Sequence, residues 1–257
     1  MGSLEYAQAR LSARFGARPD ELAWRRIEHL RDLSALIDAA RASAFGRWIT
    51  GIGPTSTPHD IERALRARFR EQVAEVASWM PEPWQPAVAW CASLADLPAV
   101  SHLARGGAAL PWMRDDTVTR DLTEREAAGF GAAPVGGALA PLSAAWAEPE
   151  RLDRLWRAEW RRRRPRGDAE DMALTDALAA TLAAHRAAMR DPALRDGTPL
   201  RRALQAKLTL LFRRAMLDPA AAFVFLAQIA LDLERLRGEL LRRAAFPALP
   251  LAAGVAA

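Results

Sequence analysis

Apolar residues recur along most of this chain at intervals of three and four positions, the spacing that places them on one face of an α-helix. The clearest case ends at Pro81 and contains the apolar positions Ile61, Leu65, Phe69, Val73, Val76 and Met80. No run of residues alternates between apolar and polar over enough positions to predict a strand. The pattern therefore predicts an all-α fold made of multi-helix bundles.

Start and stop signals divide this pattern into separate helices, because Asp and Thr often cap a helix N-terminus and glycine often follows the last turn. The predicted N-caps are Asp32, Thr57, Asp96 and Asp168, and Gly106-Gly107 is predicted to end a helix. The longer predicted helices span residues 4–15, 19–30, 33–44, 58–80, 97–105, 149–163, 168–189, 199–216 and 219–245. Shorter helical stretches are predicted at 87–94, 123–128 and 141–147.

The character of the sequence changes between residues 107 and 140, where glycine, proline and alanine are frequent and helical periodicity is poor. We interpret this segment as a linker or insertion that contains at most one short helix, at 123–128. The predicted organisation is therefore an N-terminal helical bundle at 1–106, the Gly/Pro/Ala-rich segment at 107–140 and a C-terminal helical bundle at 141–257.

Motif content argues against catalysis. The chain has 257 residues, of which 51% are hydrophobic and 26% charged, so it can build a sizeable core. It contains no phosphate-binding loop, dinucleotide-binding glycine motif or nucleophile elbow. Its single cysteine and four histidines are scattered, whereas metal ligands come in groups. We therefore predict no enzymatic activity and no catalytic, cofactor-binding or metal-ligating residues.

Two further features indicate where the protein works. The first residues carry Glu5 and lack the apolar segment of a signal peptide, and a single cysteine suits a reducing compartment. The longest apolar stretch, residues 219–231, is shorter than the roughly 20 residues that span a membrane. We expect a cytoplasmic protein that can lie next to a membrane without crossing it.

One basic segment has two interpretations. Trp156 and Trp160 share a helix face and are followed by Arg161, Arg162, Arg163, Arg164 and Arg166. Such a run can contact nucleic acid or an anionic lipid surface. Alternatively, the two tryptophans pack in the core and the arginines complement the C-terminal end of their helix. We favour packing because no second basic and aromatic patch extends the surface, and because the 36 basic residues are interleaved with 31 acidic ones.

Five short motifs follow one another along the chain. They are Tyr6 with Arg10 and Arg14, then Asp32-Leu33-Ser-Ala-Leu36-Ile37 followed by Phe45 and Trp48, then Ile61-Glu62-Arg-Ala-Leu65, then Asp96 to Arg105-Gly106, and finally Asp232-Leu233-Glu-Arg-Leu236-Arg237. In this order the motifs resemble the C subunit (called d in eukaryotes) of archaeal and vacuolar-type rotary ATPases. The resemblance covers residues 4–106 and 199–245, and it leaves 107–198 unplaced.

The resemblance implies roles for particular residues. The positions that match the family motifs, and are therefore expected to be structural or interface residues, are Tyr6, Arg10, Glu62, Asp96, Arg105, Asp232 and Arg237. We expect Arg10 and Arg105 to pair with acids such as Glu62 or Asp96 and so to tie the first helix to its bundle. The five arginines between 161 and 166 are then candidates for contact with an anionic surface.

The resemblance also implies a fold and a function. The fold would contain two or three packed helical sub-bundles of the V-ATPase C/d type. The protein would be a non-catalytic subunit that couples the central shaft to the membrane rotor ring during ion (proton) transport, held at the inner face of the membrane by the complex. Its partners would be rotor-ring and central-shaft subunits, with no cofactor and no nucleic acid. The alternative is a helical nucleic-acid-binding protein or regulatory adaptor that uses residues 156–166.

Overall fold

The computed structural model describes residues 3–127, 137–167, 169–191 and 193–246. The first six α-helices are α1 (Leu4–Gly16), α2 (Glu21–Glu28), α3 (Leu33–Arg41), α4 (Pro58–Trp79), α5 (Gln85–Trp90) and α6 (Leu97–Ala104). They are followed by α7 (Pro111–Asp115), α8 (Arg120–Ala127), α9 (Leu152–Arg163), α10 (Ala169–Met189), α11 (Thr198–Arg214) and α12 (Ala220–Ala245). No strand occurs in the described ranges, and the predicted all-α class is confirmed.

The predicted helices differ from the observed ones mainly at their ends and in their tightness. Residues 140–146 and 149–151 form 3₁₀ helix instead of α-helix, and a 3₁₀ segment at 91–95 follows α5. Prolines near the start of the segments at 140–146 and 149–151 suit such short, tight turns. The predicted N-cap Asp168 lies outside the described residues.

Side-chain caps explain several helix starts. The Asp32 carboxylate accepts a hydrogen bond from the backbone N–H of Ser34 at 3.0 Å. At the start of α4, the Thr57 hydroxyl accepts from the Asp60 backbone N–H at 3.2 Å, and the Asp60 carboxylate accepts from the Thr57 backbone N–H at 3.0 Å. This reciprocal pair satisfies N–H groups that a helix start otherwise leaves unpaired. The predicted end of α6 is also present, with Gly106 in the left-handed region at φ +79°.

The chain forms two compact units. The first unit comprises Met1–Phe15 and Phe69–Leu231, and the second comprises Gly16–Arg68 and Asp232–Ala257. Helices α4 and α12 each contribute residues to both units. The segments predicted at 1–106, 107–140 and 141–257 divide the chain in order, whereas each compact unit is assembled from distant parts of it.

Aromatic rings dominate one part of the first unit. Trp156 is stacked with Trp90 and with Trp160, both at 6.3 Å between ring centroids, and Phe223 meets Trp160 edge to face at 5.3 Å. The Trp156 indole N–H donates to the Ser93 hydroxyl at 2.8 Å, so a ring pointing inward keeps a hydrogen-bond partner. These contacts join α5, α9 and α12 within the first unit.

The segment at 107–140 contains more structure than its composition predicts. It forms two helices, α7 and α8, so the prediction of at most one short helix there is wrong. Trp112, Met113 and Leu122 are buried, and the Thr119 hydroxyl donates to the Met113 carbonyl at 2.8 Å. Helices of one or two turns are too short to show a periodic pattern, and they are stabilised by tertiary contacts. Residues 128–136 lie outside the described ranges.

The second unit has its own core around Trp24. The Trp24 ring meets Phe45 edge to face at 4.6 Å between centroids, and Phe45 meets Trp48 in the same way at 6.2 Å. The Trp24 ring also receives the Arg235 guanidinium of α12, whose Cζ lies 4.4 Å from the ring centroid. Arg235 also bonds to Glu28 at 2.7 Å. The C-terminal half of α12 is therefore fastened to α2 by both stacking and charge.

Arg243 closes this unit. Its side chain is 1% exposed, and it donates to the carbonyls of Ile27, Glu28 and Leu30 at 3.2, 3.0 and 2.7 Å. Ile27 and Glu28 are the last two residues of α2 and Leu30 lies just beyond it, so all three carbonyls are at the helix end, where i to i+4 partners are lacking. The guanidinium also bonds to the Glu239 carboxylate one turn earlier at 2.6 Å. Arg243, near the end of the sequence, thus caps the C-terminus of α2, which lies near the beginning of the sequence.

Replacing Arg243 should weaken the second unit far more than replacing its neighbour. Arg243→Ala removes a buried cation, so the carbonyls at the end of α2 and the Glu239 carboxylate lose their hydrogen-bond donor. This should lower the free energy of unfolding by about 3–5 kcal/mol. Arg242→Ala removes a side chain that is 58% exposed and also pairs with Glu239, which should cost about 0–1 kcal/mol. Urea unfolding followed by tryptophan fluorescence measures both. Equal losses in the two variants would contradict the capping role.

Candidate functional site

The motif residues are distributed over both units. Tyr6, Arg10, Asp96 and Arg105 belong to the first unit, and Glu62, Asp232 and Arg237 belong to the second. Tyr6, Arg10 and Arg105 are exposed, whereas Asp96 and Asp232 are buried. This difference separates residues that can contact another molecule from residues that hold the protein together.

Tyr6 and Arg10 form one surface feature of α1. They are four positions apart and therefore neighbours on the helix. The Arg10 guanidinium lies 5.9 Å from the Tyr6 ring centroid and 5.2 Å from the centroid of Trp79, which is buried. Tyr6 itself is 49% exposed. A cation held over an aromatic surface gives this face both an aromatic anchor and a charge.

The predicted partners of Arg10 and Arg105 are engaged elsewhere. Glu62 pairs with Arg237 at 2.5 Å, and Asp96 pairs with Arg70. The first helix is instead tied to α4 within the first unit by Arg10 over Trp79 and by the ion pair of Arg14 with Glu75 at 2.5 Å. The expected ion pair of Arg10 with Glu62 or Asp96 is therefore replaced by stacking on Trp79, and the ion pair that ties α1 to α4 is made by Arg14.

Asp96 belongs to a buried ionic cluster of three residues. Arg70 from α4 bonds to Asp96 and donates to Asp116 at 3.1 Å. The side chains of Asp96 and Asp116 are 2% and 1% exposed. Asp116 also accepts from the backbone N–H groups of Val118 and Thr119 at 2.9 and 3.2 Å. The prediction that Asp96 caps α6 is corrected, because its side chain bonds to Arg70 and makes no capping hydrogen bond.

The electrostatics favour the charged forms of Arg70 and Asp116. Burial acts to raise the pKa of Asp116, but the hydrogen bond from Arg70 and those from the two backbone N–H groups outweigh it and hold the pKa below its usual range. Burial acts to lower the pKa of Arg70, and the hydrogen bonds to Asp96 and Asp116 reverse that effect and raise it. Because both shifts strengthen the charged forms, Arg70 and Asp116 stay ionised near neutral pH and their contact is an ion pair.

In the second unit, two distant motifs meet. Arg237, from the closing motif on α12, bonds to Glu62, from the motif that opens α4, across 175 positions of sequence. Asp232 bonds to Arg18 at 2.6 Å, and both side chains are almost fully buried. Burial raises the pKa of Asp232, and the charge of Arg18 opposes that rise. The Glu62 motif is thus joined to the closing motif by one ion pair, and the closing motif is joined to the segment before α2 by another.

The basic run after Trp160 is largely used inside the first unit. Arg163 lies over the Trp90 ring at 4.7 Å, and Arg164 lies over Trp160 at 4.6 Å and donates to Thr175 at 2.8 Å. Arg162 and Arg163 both bond to the buried carboxylate of Glu159 at 2.7 Å. These contacts favour the packing interpretation for Arg163 and Arg164, whereas Arg162 pairs with Glu159 and stays 70% exposed. Arg161 and Arg166 are exposed.

Metal binding and thiol chemistry both depend on side chains that the structure describes. Within them, no group of three or more His, Cys, Asp or Glu side chains is placed to hold a metal ion. Cys91 is buried, and burial raises the pKa of its thiol to about 12, so the thiol stays protonated and unreactive at neutral pH.

The described helices were also compared with the length and hydropathy of a membrane span. Taken singly, none of them is both long and apolar enough to cross a bilayer. One bent pair, residues 82–95 with 97–104, meets the criteria of length and composition when its two parts are taken together.

Sequence reasoning missed the partners that complete these clusters. Arg70, Asp116, Arg18, Arg235 and Arg243 are charged residues with buried or half-buried contacts, and none was singled out. The one local signal was Asp116-Thr-Val118-Thr119, because an Asp before such residues often accepts from backbone N–H groups two and three positions later. The remaining pairs join residues that are far apart in sequence.

The buried cluster gives a prediction that depends on pH. Asp116→Asn should lower the free energy of unfolding at pH 7 by about 2–3 kcal/mol, because Arg70 loses one of its carboxylates. The lowered pKa of Asp116 means that its contribution is present above the unfolded-state pKa of about 3.9 and is lost as pH falls through the folded-state value. The difference in the free energy of unfolding between Asp116→Asn and the natural protein should therefore become smaller below about pH 4.

The exposed neighbour Asp115 provides the control, since Asp115→Asn should change the free energy of unfolding by less than about 0.5 kcal/mol. Urea unfolding at a series of pH values measures both variants. If the difference in unfolding free energy between Asp116→Asn and the natural protein stays constant down to acid pH, the Asp116 charge does not stabilise the fold.

Comparison with known proteins gives no further guide to identity. No protein-family model, curated protein or solved structure matches this chain. The function is therefore inferred from the order of the motifs and from the geometry of the described residues.

Proposed function

We propose that this chain is a non-catalytic docking subunit of a V-type or A-type rotary ATPase that couples the central shaft to the membrane rotor ring. The observation that supports this proposal best is the pairing of Glu62 with Arg237. Each residue lies in a motif that resembles the family, and the two residues are 175 positions apart in the sequence. Their contact brings two family-like motifs together within one compact unit, and this supports the proposal.

The interior of each unit suits a part that transmits force. In the first unit, the Arg70 cluster joins α4 to the segments around α6 and α7, and in the second unit Arg243 and Asp232 fasten α12 to the N-terminal segments. Close-packed interiors in which charged side chains pair across separate elements deform little under load. A coupling subunit needs this stiffness and a surface for its neighbours, and it needs no reactive group.

The surface around Tyr6 and Arg10 is the proposed docking contact. Interfaces draw most of their binding energy from a few aromatic and arginine side chains, with surrounding charges setting orientation. Tyr6 is exposed and carries Arg10 beside its ring, and both belong to the first family motif. Within the proposal, these two side chains contact the rotary complex, while Asp96, Asp232 and Glu62 maintain the fold.

The test is purification of the tagged full-length protein from its native membranes. The proposal expects rotor-ring and central-shaft subunits to be recovered with it. Tyr6→Ser should reduce their recovery by at least about tenfold, as for an interface hot spot. Leu22→Ser is the matched control, because Leu22 is also a large exposed apolar residue, on α2, and its loss should leave recovery unchanged.

Two results would overturn the proposal. One is recovery of nucleic acid without rotary subunits and its release by moderate salt, which would favour the nucleic-acid-binding alternative that uses residues 156–166. The other is an equal loss of recovery in the Tyr6 and Leu22 variants, which would remove the docking contact assigned to α1.

A further inference from the structure

Helix α11 exposes a face on which every charge is positive. The helix contains five basic residues, Arg201, Arg202, Lys207, Arg213 and Arg214, and no acidic residue. Leu204, Leu208 and Phe212 form its buried face, and Lys207, Leu210 and Arg214 follow one another at helical spacing on the exposed face. An exposed leucine, 55% accessible, therefore lies between cations.

The corner that follows α11 extends this face with apolar side chains. Met216 and Leu217 are 69% and 50% exposed. Leu217 has φ +57°, a left-handed conformation that leucine rarely adopts. Its backbone N–H donates to the Gln8 side chain at 3.2 Å, which contributes to holding the corner in this conformation. A strained backbone that keeps two large apolar side chains in water points to a function for them.

The acidic residues next to this face are used as local caps. The Asp196 carboxylate accepts from the Thr198 backbone N–H at 2.8 Å, and the Asp218 carboxylate accepts from the Ala220 backbone N–H at 2.7 Å. Both carboxylates keep their charge, but they lie before and after α11, and the exposed face of the helix itself carries Lys207, Arg213 and Arg214. An electropositive face with protruding aliphatic side chains is complementary to a surface that is negative outside and apolar beneath.

We propose that the exposed face of α11 and the Met216-Leu217 corner bind the surface of an anionic lipid bilayer. The basic side chains contact lipid phosphates, and Leu210, Met216 and Leu217 enter the boundary between headgroups and acyl chains. This proposal goes beyond the rotary assembly and does not depend on it. An acidic protein would share the charge complementarity. The bilayer is favoured because the exposed apolar side chains beside these cations, Leu210, Met216 and Leu217, are all flexible and aliphatic, which suits insertion among acyl chains.

The experiment uses the full-length protein and sedimentation with vesicles. Vesicles of phosphatidylcholine mixed with phosphatidylglycerol should bind the protein, vesicles of phosphatidylcholine alone should not, and added salt should weaken binding. The double variant Arg213→Gln with Arg214→Gln should bind about 10- to 30-fold more weakly. The control, Arg25→Gln with Arg26→Gln, removes two exposed arginines from the last turn of α2 and should bind like the natural protein.

The corner gives a second readout that a merely structural role would not produce. Leu217→Asn should weaken vesicle binding about three- to tenfold and raise the melting temperature by about 2–4 °C, because asparagine tolerates the left-handed conformation. Met216→Asn should weaken binding to a similar degree without raising the melting temperature, since only Leu217 among the described non-glycine residues has a positive φ.

Several results would overturn the proposal. Equal binding to neutral and anionic vesicles would do so, as would equal losses in the α11 and α2 double variants. Binding to polyglutamate with no binding to anionic vesicles would assign the face to an acidic protein instead of a bilayer. Circular dichroism of each variant checks that the helices are retained, so a loss of binding reflects the surface.

Discussion

A guanidinium that is withdrawn from water must find acceptors for its donors, and in the second unit Arg243 finds them at the end of α2. The same requirement applies to the acceptors, because carbonyls at the end of a helix lack i to i+4 partners within that helix. Neither group can be buried without the other. The contact therefore fixes the register of the C-terminal half of α12 against α2, and the Arg235 and Asp232 pairs lie on turns consistent with that register.

The same constraint organises the first unit. Arg70 enters the interior from α4 and must be compensated, which brings Asp96, just before α6, and Asp116, just after α7, to one point. Burying a charge costs more than pairing usually returns, so such clusters specify an arrangement more than they add stability. This accounts for order in a segment whose composition resembles a linker. The helices α7 and α8 are held by a buried cluster and by apolar side chains such as Trp112, and neither leaves a periodic signal in so short a stretch.

The sequence was sufficient for what depends on neighbouring residues. Apolar periodicity located the long helices, and the caps at Asp32 and Thr57 were correct because a cap involves residues two or three positions apart. It was insufficient where one side chain has two possible partners. Asp96 is a residue type that often caps helices and it lies in a family-like motif, yet its carboxylate bonds to Arg70, a partly buried arginine 26 positions earlier. Arg10 was expected to pair with an acidic side chain. Its guanidinium instead lies over the rings of Tyr6 and Trp79, because α1 faces Trp79. Local pattern cannot decide between such alternatives.

This distinction also bears on function. Residues that identify a motif include many that preserve the fold, and Asp96, Asp232 and Glu62 are accounted for by their internal pairs. A docking surface has to be sought among side chains whose exposure the fold does not explain. Tyr6 is one such residue, and the cations of α11 with Met216 and Leu217 are a second set, located in a part of the sequence where family resemblance is thin. The strained backbone at Leu217 is informative because the fold would be more stable with asparagine or glycine there. A leucine at this position is explained if its exposed apolar side chain contacts another surface, because only such a partner can remove it from water.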